Sequence, residues 1–452
     1  MKTRTNWLLL MVTANCLLGQ GYEVWLTDQN NTAGYSAAAP RGTHGGRLVI
    51  HDGEDLENPG GPVDRSSVID LAEMFAMGGP NNSTGANVSR PHMIFQSPTS
   101  DYMALSFVAS GHVAIIDGAT RRPKALFRMT AGDGGARQAH AAFWMPDGMS
   151  LIVANQNGKL LEKVVYDPVT DTFRHDTAAT LNLAACRTPN GFPCQTTTPV
   201  NEGDPGYFGP HNRPDNAPIC PVPSANRKVY VSFRGGGMFV VDPATSPMSI
   251  VAEYGNRSFS RDGCGGVQVG ANVYLTAGAG STTTNPDQFL VYQATDEYPS
   301  APAFVEPNSA LLKFWAGDAS GGRDGHGLGA SAGGAYLWVF DRTGDVAEVY
   351  RIPTGRHMNS VDLRASGVSA KPTPDLVALS PLGNRFYMAL RGPKPQTGSP
   401  HVATGGTPGL GILTLSRGGA FGTLTHVFRT TLGNPVDGSE ESDPHGVTVR
   451  LK

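Results

Sequence analysis

Charge is scarce in this chain. Only 16% of its 452 residues are Asp, Glu, Lys or Arg, and 35 basic against 38 acidic side chains leave a formal charge of −3. So even a balance gives no electrostatic footprint for nucleic acid or an anionic membrane. No apolar run approaches the ~18 residues that a membrane-spanning helix requires. The long Ala, Leu, Glu and Lys stretches of helix bundles and coiled coils are missing too. The five cysteines form no C-x-x-C-H, which excludes covalent c-type haem. G-x-S-x-G and H-E-x-x-H are both absent, and no serine has a recognisable His/Asp partner. The Gly-rich stretches GGRDGHGLG and AGAGS open no helix, so they are not phosphate loops.

Punctuation is what the chain has in excess. Its 57 Gly and 34 Pro make up about one residue in five, high but short of low complexity. With 39% apolar residues the chain can bury a core. Its length suits two or three ordinary domains or one large closed β architecture.

Residues 1–21 read as an export signal. Lys2 and Arg4 precede an apolar stretch from Trp7 to Leu18, and Gly19–Gln20–Gly21 has the small-x-small form of a cleavage site. The mature protein is therefore expected in the periplasm or outside the cell, with no membrane attachment after processing. Cleavage removes Cys16 and leaves Cys186, Cys194, Cys220 and Cys264. An even number suits an oxidising compartment. Cys186 and Cys194 bracket the turn-rich RTPNGFP, which a disulfide would close. Cys220 and Cys264 are either a second pair or buried thiols. The sequons at Asn30, Asn81, Asn82, Asn87 and Asn256 matter only in a eukaryotic secretory pathway.

A repeat runs through the remainder. Units opening at Pro91, Ala139, Ala217, Asp262, Gly325 and Pro374 each give a short apolar run, a tight turn (SPTSD, MPDG, PSANR, SAGG, SPLGN where it is clearest), then further β-rich runs. This is the pattern of a four-stranded meander, and six copies are complete. The chain ends on DPHGVTVRLK, an opening strand with nothing after it. YEVWLTDQ and GGRLVIHDGED at the start are later strands with nothing before them. Joining residues 442–452 to residues 22–55 makes a seventh unit and hides the sheet edges. The expected fold is all-β, a single seven-bladed propeller over residues 22–452, closed by pairing the C-terminal strand with the N-terminal strands. A β-sandwich array is the alternative. VIDLAEMFAM is expected to form a short helix in the 56–90 segment, and residues 176–216 an insertion placed to fold over one face as a lid.

In a propeller the first strand of each blade lines the axis. Counting six residues back from the turn proline reaches His92, His140, Ala217 and Asp375; the matching count reaches His326, and PHG places His445. The fifth unit offers Asp262, with Cys264 the alternative. His44 and His401 fall in loops on the same face, and His211 precedes the fourth unit, so seven of the 12 histidines converge in projection. Glu202 and Asp204 are further candidate ligands in the insertion. Several imidazoles with two carboxylates suit Cu, Zn or Fe better than Mg or Ca. Structural histidines bonded to a neighbouring blade are the plainer explanation for any one of them alone. Arg234, Arg342 and Arg391 end second strands on that face and would form a collar selecting a small anion. Asp52, Glu54 and Asp55 fit a solvated hairpin better than a Ca site. Met103, Met238 and Met248 read as core filler.

The PDG and PLGN turns and the PHGVTV strand resemble the YVTN and cytochrome-d1-like propeller superfamily over most of residues 22–452. The axial histidines resemble, more weakly, those of copper propellers such as nitrous oxide reductase and thiocyanate dehydrogenase. That resemblance implies one or more copper ions held by His92, His140, His326 and His445. Asp262 and Asp375 would be ligands or bases, and His401 or His44 would complete a second metal. It implies redox chemistry on a small anion oriented by the arginines, with an electron-acceptor protein as partner. The chain departs from nitrous oxide reductase in lacking an adjacent His-His pair and a C-terminal cupredoxin domain. Copper is thus the expected cofactor, with Zn, Fe and Ca still open. PHG strands also resemble those of virginiamycin-type lyase propellers, which implies a lyase or lactonase with one Mg and a histidine base. A third reading is a non-catalytic secreted propeller that binds through an exposed apolar patch.

Overall fold

The computed structural model describes residues 21–61, 65–196, 209–260, 263–277, 290–295, 304–305, 311–316, 323–352, 354–398 and 400–452. Residues 1–20 of the proposed export signal, Asp262, Glu202 and Asp204 lie outside them. Seven separate sheets, antiparallel except where Phe304–Val305 adds parallel to Ser249–Tyr254, are arranged as blades, so the chain is a seven-bladed β-propeller. Their inner strands are Pro91–Gln96, Ala139–Trp144, Pro218–Pro223, Gly266–Val269, Gly325–Ala330, Pro374–Leu379 and Pro444–Leu451.

The last of these closes the ring. Pro444–Leu451 pairs antiparallel with Tyr22–Asp28, which pairs with Arg47–Asp52, so one blade is built from both chain ends. Closure leaves no inner edge unpaired, which is how a propeller avoids templating further strands. The core consists of the apolar faces between blades, where Trp25, Trp338, Tyr230, Phe107 and Phe233 are fully buried. The alternation that places them follows from the two-residue period of a strand. Met103, Met238 and Met248 are buried in these layers.

The 68–77 segment departs from expectation. Ser67–Asp70 is the outer strand of the split blade, paired with Arg47–Ile50, and only Leu71–Met74 is helical. The β-branched Val68 and Ile69 favour the sheet. Asp70 then caps a single turn by accepting from the Ala72 and Glu73 N–H groups. In the insertion, Cys186 and Cys194 form a disulfide. Cys220 and Cys264 are buried free thiols. No helix among the described residues is long and apolar enough to cross a membrane.

Candidate metal centre

The inner strands share one irregularity. In six blades the pairing with the second strand shifts register near the strand start, between Pro91 and Ile94, Ala139 and Ala141, Pro218 and Pro221, Gly325 and Leu328, and Pro374 and Val377, and opposite Leu26 and Asp28. A bulge re-aims the side chain it carries. The residue after each bulge start is His92, His140, Ile219, His326, Asp375 or His445. The matching residue in the fifth blade is Cys264. Repeat counting had put Ala217 in the fourth blade; the observed register puts Ile219 there, because Pro218, not an earlier residue, pairs with Phe233.

Hydroxyl groups fasten this ring from blade to blade. Thr27 Oγ1 accepts the Gly446 N–H at 2.7 Å and donates to the His92 carbonyl at 2.8 Å in the next blade. Ser106 Oγ accepts from Met93 at 3.3 Å and donates to the His140 carbonyl at 2.9 Å. Thr276 Oγ1 accepts from Gly265 at 2.8 Å and lies 3.3 Å from the His326 carbonyl. Each clasp spends a hydroxyl inside the sheet to hold two ring residues in register. The sequence signal was present, a Ser or Thr near the end of the second strand, but it resembles ordinary strand composition.

The axial side chains form two adjoining groups at a cavity of about 360 Å³, whose wall includes His92, His140, Cys264, His326 and His445. In the first, Asp375 Oδ1 lies 2.9 Å from His326 Nε2 and 3.6 Å from His445 Nε2. In the second, His140, Cys220 and Cys264 bring their ligand atoms within 4.8 Å of one another. His92 joins the two: its ring stacks on His445 at 3.6 Å, and its Nε2 lies 3.3 Å from His140 Nε2. The His92 Nδ1 sits 3.0 Å from Gln29 Oε1, an acceptor that fixes the proton on Nδ1 and leaves Nε2 as an electron-pair donor.

The charges beside this site form an alternating chain. Asp324 accepts from Arg342, Arg342 reaches Asp375, Asp375 Oδ2 accepts from Arg391 at 2.6 Å, and Arg391 grips both oxygens of Asp443 at 2.7 Å. All five are buried. Burial pushes the Asp375 carboxyl up, but His445, His326, Arg342 and Arg391 outweigh it and hold it well below the usual range. Burial holds His92 and His445 well below the ordinary imidazole value and lowers His140 to about 3. Those three imidazoles are therefore neutral at pH 7. His326 goes the other way: burial and Arg342 press it down, and Asp375 with Cys264 carries it up to about 9. Burial and the nearby Cys220 raise the Cys264 thiol.

The contact between His326 and Asp375 is close without being directional. Neither His326 Nε2 nor Asp375 Oδ1 makes a geometrically sound hydrogen bond, and His326 Nδ1 makes none either. Buried polar atoms are seldom left in this state unless something else binds them. Without a metal His326 and Asp375 form an ion pair; a cation that displaced the His326 proton would be bound by the freed imidazole lone pair and the carboxylate oxygen, so the residues fit a metal ion.

Three histidines of the expected set lie elsewhere. His44 is half-buried in the loop before Arg47–Asp52, bridged to Ala33 and beside Thr43 Oγ1 at 3.0 Å. His401 is exposed on the one-turn helix Pro400–Ala403. His211 stacks on Phe192 at 3.5 Å and places Nδ1 3.0 Å from Glu253, where it ties down the insertion. None of the three lines the axial cavity. Their loops obey no repeat, so angle in projection did not predict their distance from the axis.

The arginine collar also changes character. Arg342 and Arg391 are committed to carboxylates, and Arg234, half-exposed at the rim, pairs with Asp215 at 2.6 Å. The guanidinium that lines the cavity without a carboxylate partner among the described residues is Arg90, which sequence reasoning missed. Its backbone is left-handed, with φ 57°. One nitrogen donates to the Gln396 carbonyl, and Nε has no partner. Asp28, Asn155 and Asp341, at the ends of second strands like the collar arginines, are bound to Arg47, Glu162 and Arg323. In place of the expected solvated hairpin, Asp52 caps the short helix Gly53–Glu57 and pairs with Arg65 and Lys452, and Asp55 also pairs with Arg65.

No protein-family model matches the chain, and no curated protein matches it. Solved structures do. A putative 6-phosphogluconolactonase from Bacteroides fragilis aligns over 95% of this chain and 98% of its own, at 11% identity and TM-score 0.53. A protein from Lactobacillus plantarum aligns over 95% and 99%, at 9% identity and TM-score 0.54. The likeness is one of fold.

Proposed function

We propose that this propeller binds a transition-metal ion on its axis and uses it on a small anion held in the cavity above. The observation that carries this reading is the buried His326, Asp375 and His445 group, whose donor atoms crowd within 4.8 Å yet leave two of them without a directional partner. One carboxylate oxygen and two imidazoles suit a borderline ion better than Mg or Ca, which take mostly oxygen ligands. Copper is our first choice of ion, with Zn next, and copper-dependent oxidoreduction is the finer form of the proposal. The cavity is of the size that small-molecule sites occupy. Arg90 supplies the positive group that an anionic substrate needs. The lyase or lactonase reading calls for one hard cation, and the scarcity of carboxylate oxygens at the axis argues against it.

Elemental analysis of the full chain purified without a polyhistidine tag tests the reading. At least one equivalent of copper or zinc is expected, and His326→Ala/His445→Ala should lose it while keeping the far-ultraviolet spectrum of the fold. A wild-type protein that takes up neither ion after dialysis against each would overturn the proposal.

A further inference from the structure

Cys220 and Cys264 have no place in the His326, Asp375 and His445 group, yet Cys264 lines the same cavity and Cys220 lies against it. Their sulfurs are 3.1 Å apart, both residues are buried, and His140 completes a group whose ligand atoms lie within 4.8 Å of one another. The two thiols come from neighbouring blades, Cys220 from the inner strand Pro218–Pro223 and Cys264 from just before Gly266–Val269. Cys264 occupies the axial position of its blade, and Cys220 is one residue beyond the axial Ile219 of the blade before. In other blades the residue at the Cys220 register is often glycine, because a side chain would strike the next strand: a Cβ on Gly265, Gly327 or Gly446 would meet a neighbouring carbonyl at 2.4, 2.3 or 2.6 Å. At Cys220 a side chain is accommodated, and it points at a second thiol.

We propose that His140, Cys220 and Cys264 form a distinct thiophilic subsite for a closed-shell d10 cation, Cu(I) or Zn(II). It adjoins the harder group of two imidazoles and one carboxylate and differs from it in the ions it prefers. Thiolate ligands select Cu(I) and Zn over Mg, Ca and Mn, and two sulfurs with one imidazole leave a coordination position open toward the cavity. Binding is accompanied by release of thiol protons to solvent, because the thiolate is the ligand. The inference rests on the metal-binding reading for its setting, but it concerns different residues.

The test uses the full chain, reduced and stripped of metal, titrated with Cd(II) as a spectroscopic d10 probe, then with Zn(II) and with Cu(I) held in a competing chelator. A near-ultraviolet thiolate-to-metal band should grow to one equivalent of Cd(II). Cys220→Ser/Cys264→Ser should abolish it, and His326→Ala/His445→Ala should retain it. Displacement of the Cd(II) band by Zn(II) or by Cu(I) at stoichiometric concentration tells the two ions apart. Thermal unfolding of the metal-free Cys→Ser variant, unchanged from wild type, separates ligation from folding. The inference is overturned if wild type binds Cd(II) without the thiolate band. It is overturned equally if mass spectrometry of the native protein shows both thiol hydrogens lost to a disulfide that mild reduction cannot open. Metal retained by Cys220→Ser/Cys264→Ser and lost by His326→Ala/His445→Ala, with no thiolate band in wild type, sinks this inference alone. Absence of metal from every variant and from wild type sinks the wider reading as well.

Discussion

Acidification should destabilise the propeller through one imidazole remote from the axis. His112 begins the strand His112–Asp117 and is fully buried, with Nε2 2.8 Å from Thr84 Oγ1 and Nδ1 2.9 Å from Ser110 Oγ. Burial, assisted by the Arg128 and Arg137 charges, lowers it to about 4 from an ordinary 6.5. Above pH 6.5 the ring is neutral whether the chain is folded or not, and it contributes no pH dependence. Between 6.5 and 4 the unfolded chain takes up a proton that the folded one refuses, so stability falls as the pH falls. Below 4 both forms are protonated and the loss is complete. The full effect is about 3 kcal/mol, more than a hundredfold in the folding equilibrium. Urea unfolding at pH 7, 5.5 and 4 should show wild type losing that much more than His112→Gln, which cannot be charged and keeps a polar contact. A direct reading comes from NMR titration of the His112 ring. A midpoint near 6.5, or parallel pH profiles for wild type and variant, would refute the reasoning.

Three more outcomes follow from particular contacts. Arg391→Met should cost about 3–5 kcal/mol in urea unfolding, because it strands the buried Asp375 and Asp443 carboxylates; Arg391→Lys should recover only part of this, lacking the fork that grips both Asp443 oxygens. Gly327→Ala places a Cβ 2.3 Å from the Asp375 carbonyl and should shift that strand. A loss of about 1–3 kcal/mol in thermal unfolding and a lower metal content by elemental analysis are expected. Replacing Cys186 and Cys194 by alanine opens a loop with a sequence separation of 8 and should lower stability by about 2–3 kcal/mol, measured by denaturant titration under non-reducing conditions.

Local pattern was enough to read the propeller from the chain. Turns such as SPTSD and MPDG mark where each blade begins, the two-residue alternation marks which side chains face its neighbours, and the unmatched strands at the two ends have no partner but each other. The same repeat phase made the angular places of His92, His140, His326, Asp375 and His445 legible, because a residue at one register in every blade must return to one side of the axis. Phase failed by two residues in the fourth blade, where Ala217 was read for Ile219. The proline six residues on from Ala217 belongs to a strand whose bulge begins at Pro218.

What the chain alone decided, then, was its periodic part: blade number, closure, and the ring of inner-strand starts. Only folding decided the non-periodic part. His44 and His401 belong to segments between strands whose height follows from local turns and packing, and folding leaves both off the cavity wall. Arg342 and Arg391 became a buried charge chain because Asp324, Asp375 and Asp443 arrive at the starts of three different inner strands to meet them. Arg90, Cys220 and Cys264 acquired their setting in the same way, since a pairwise contact between distant segments leaves no trace in either segment by itself.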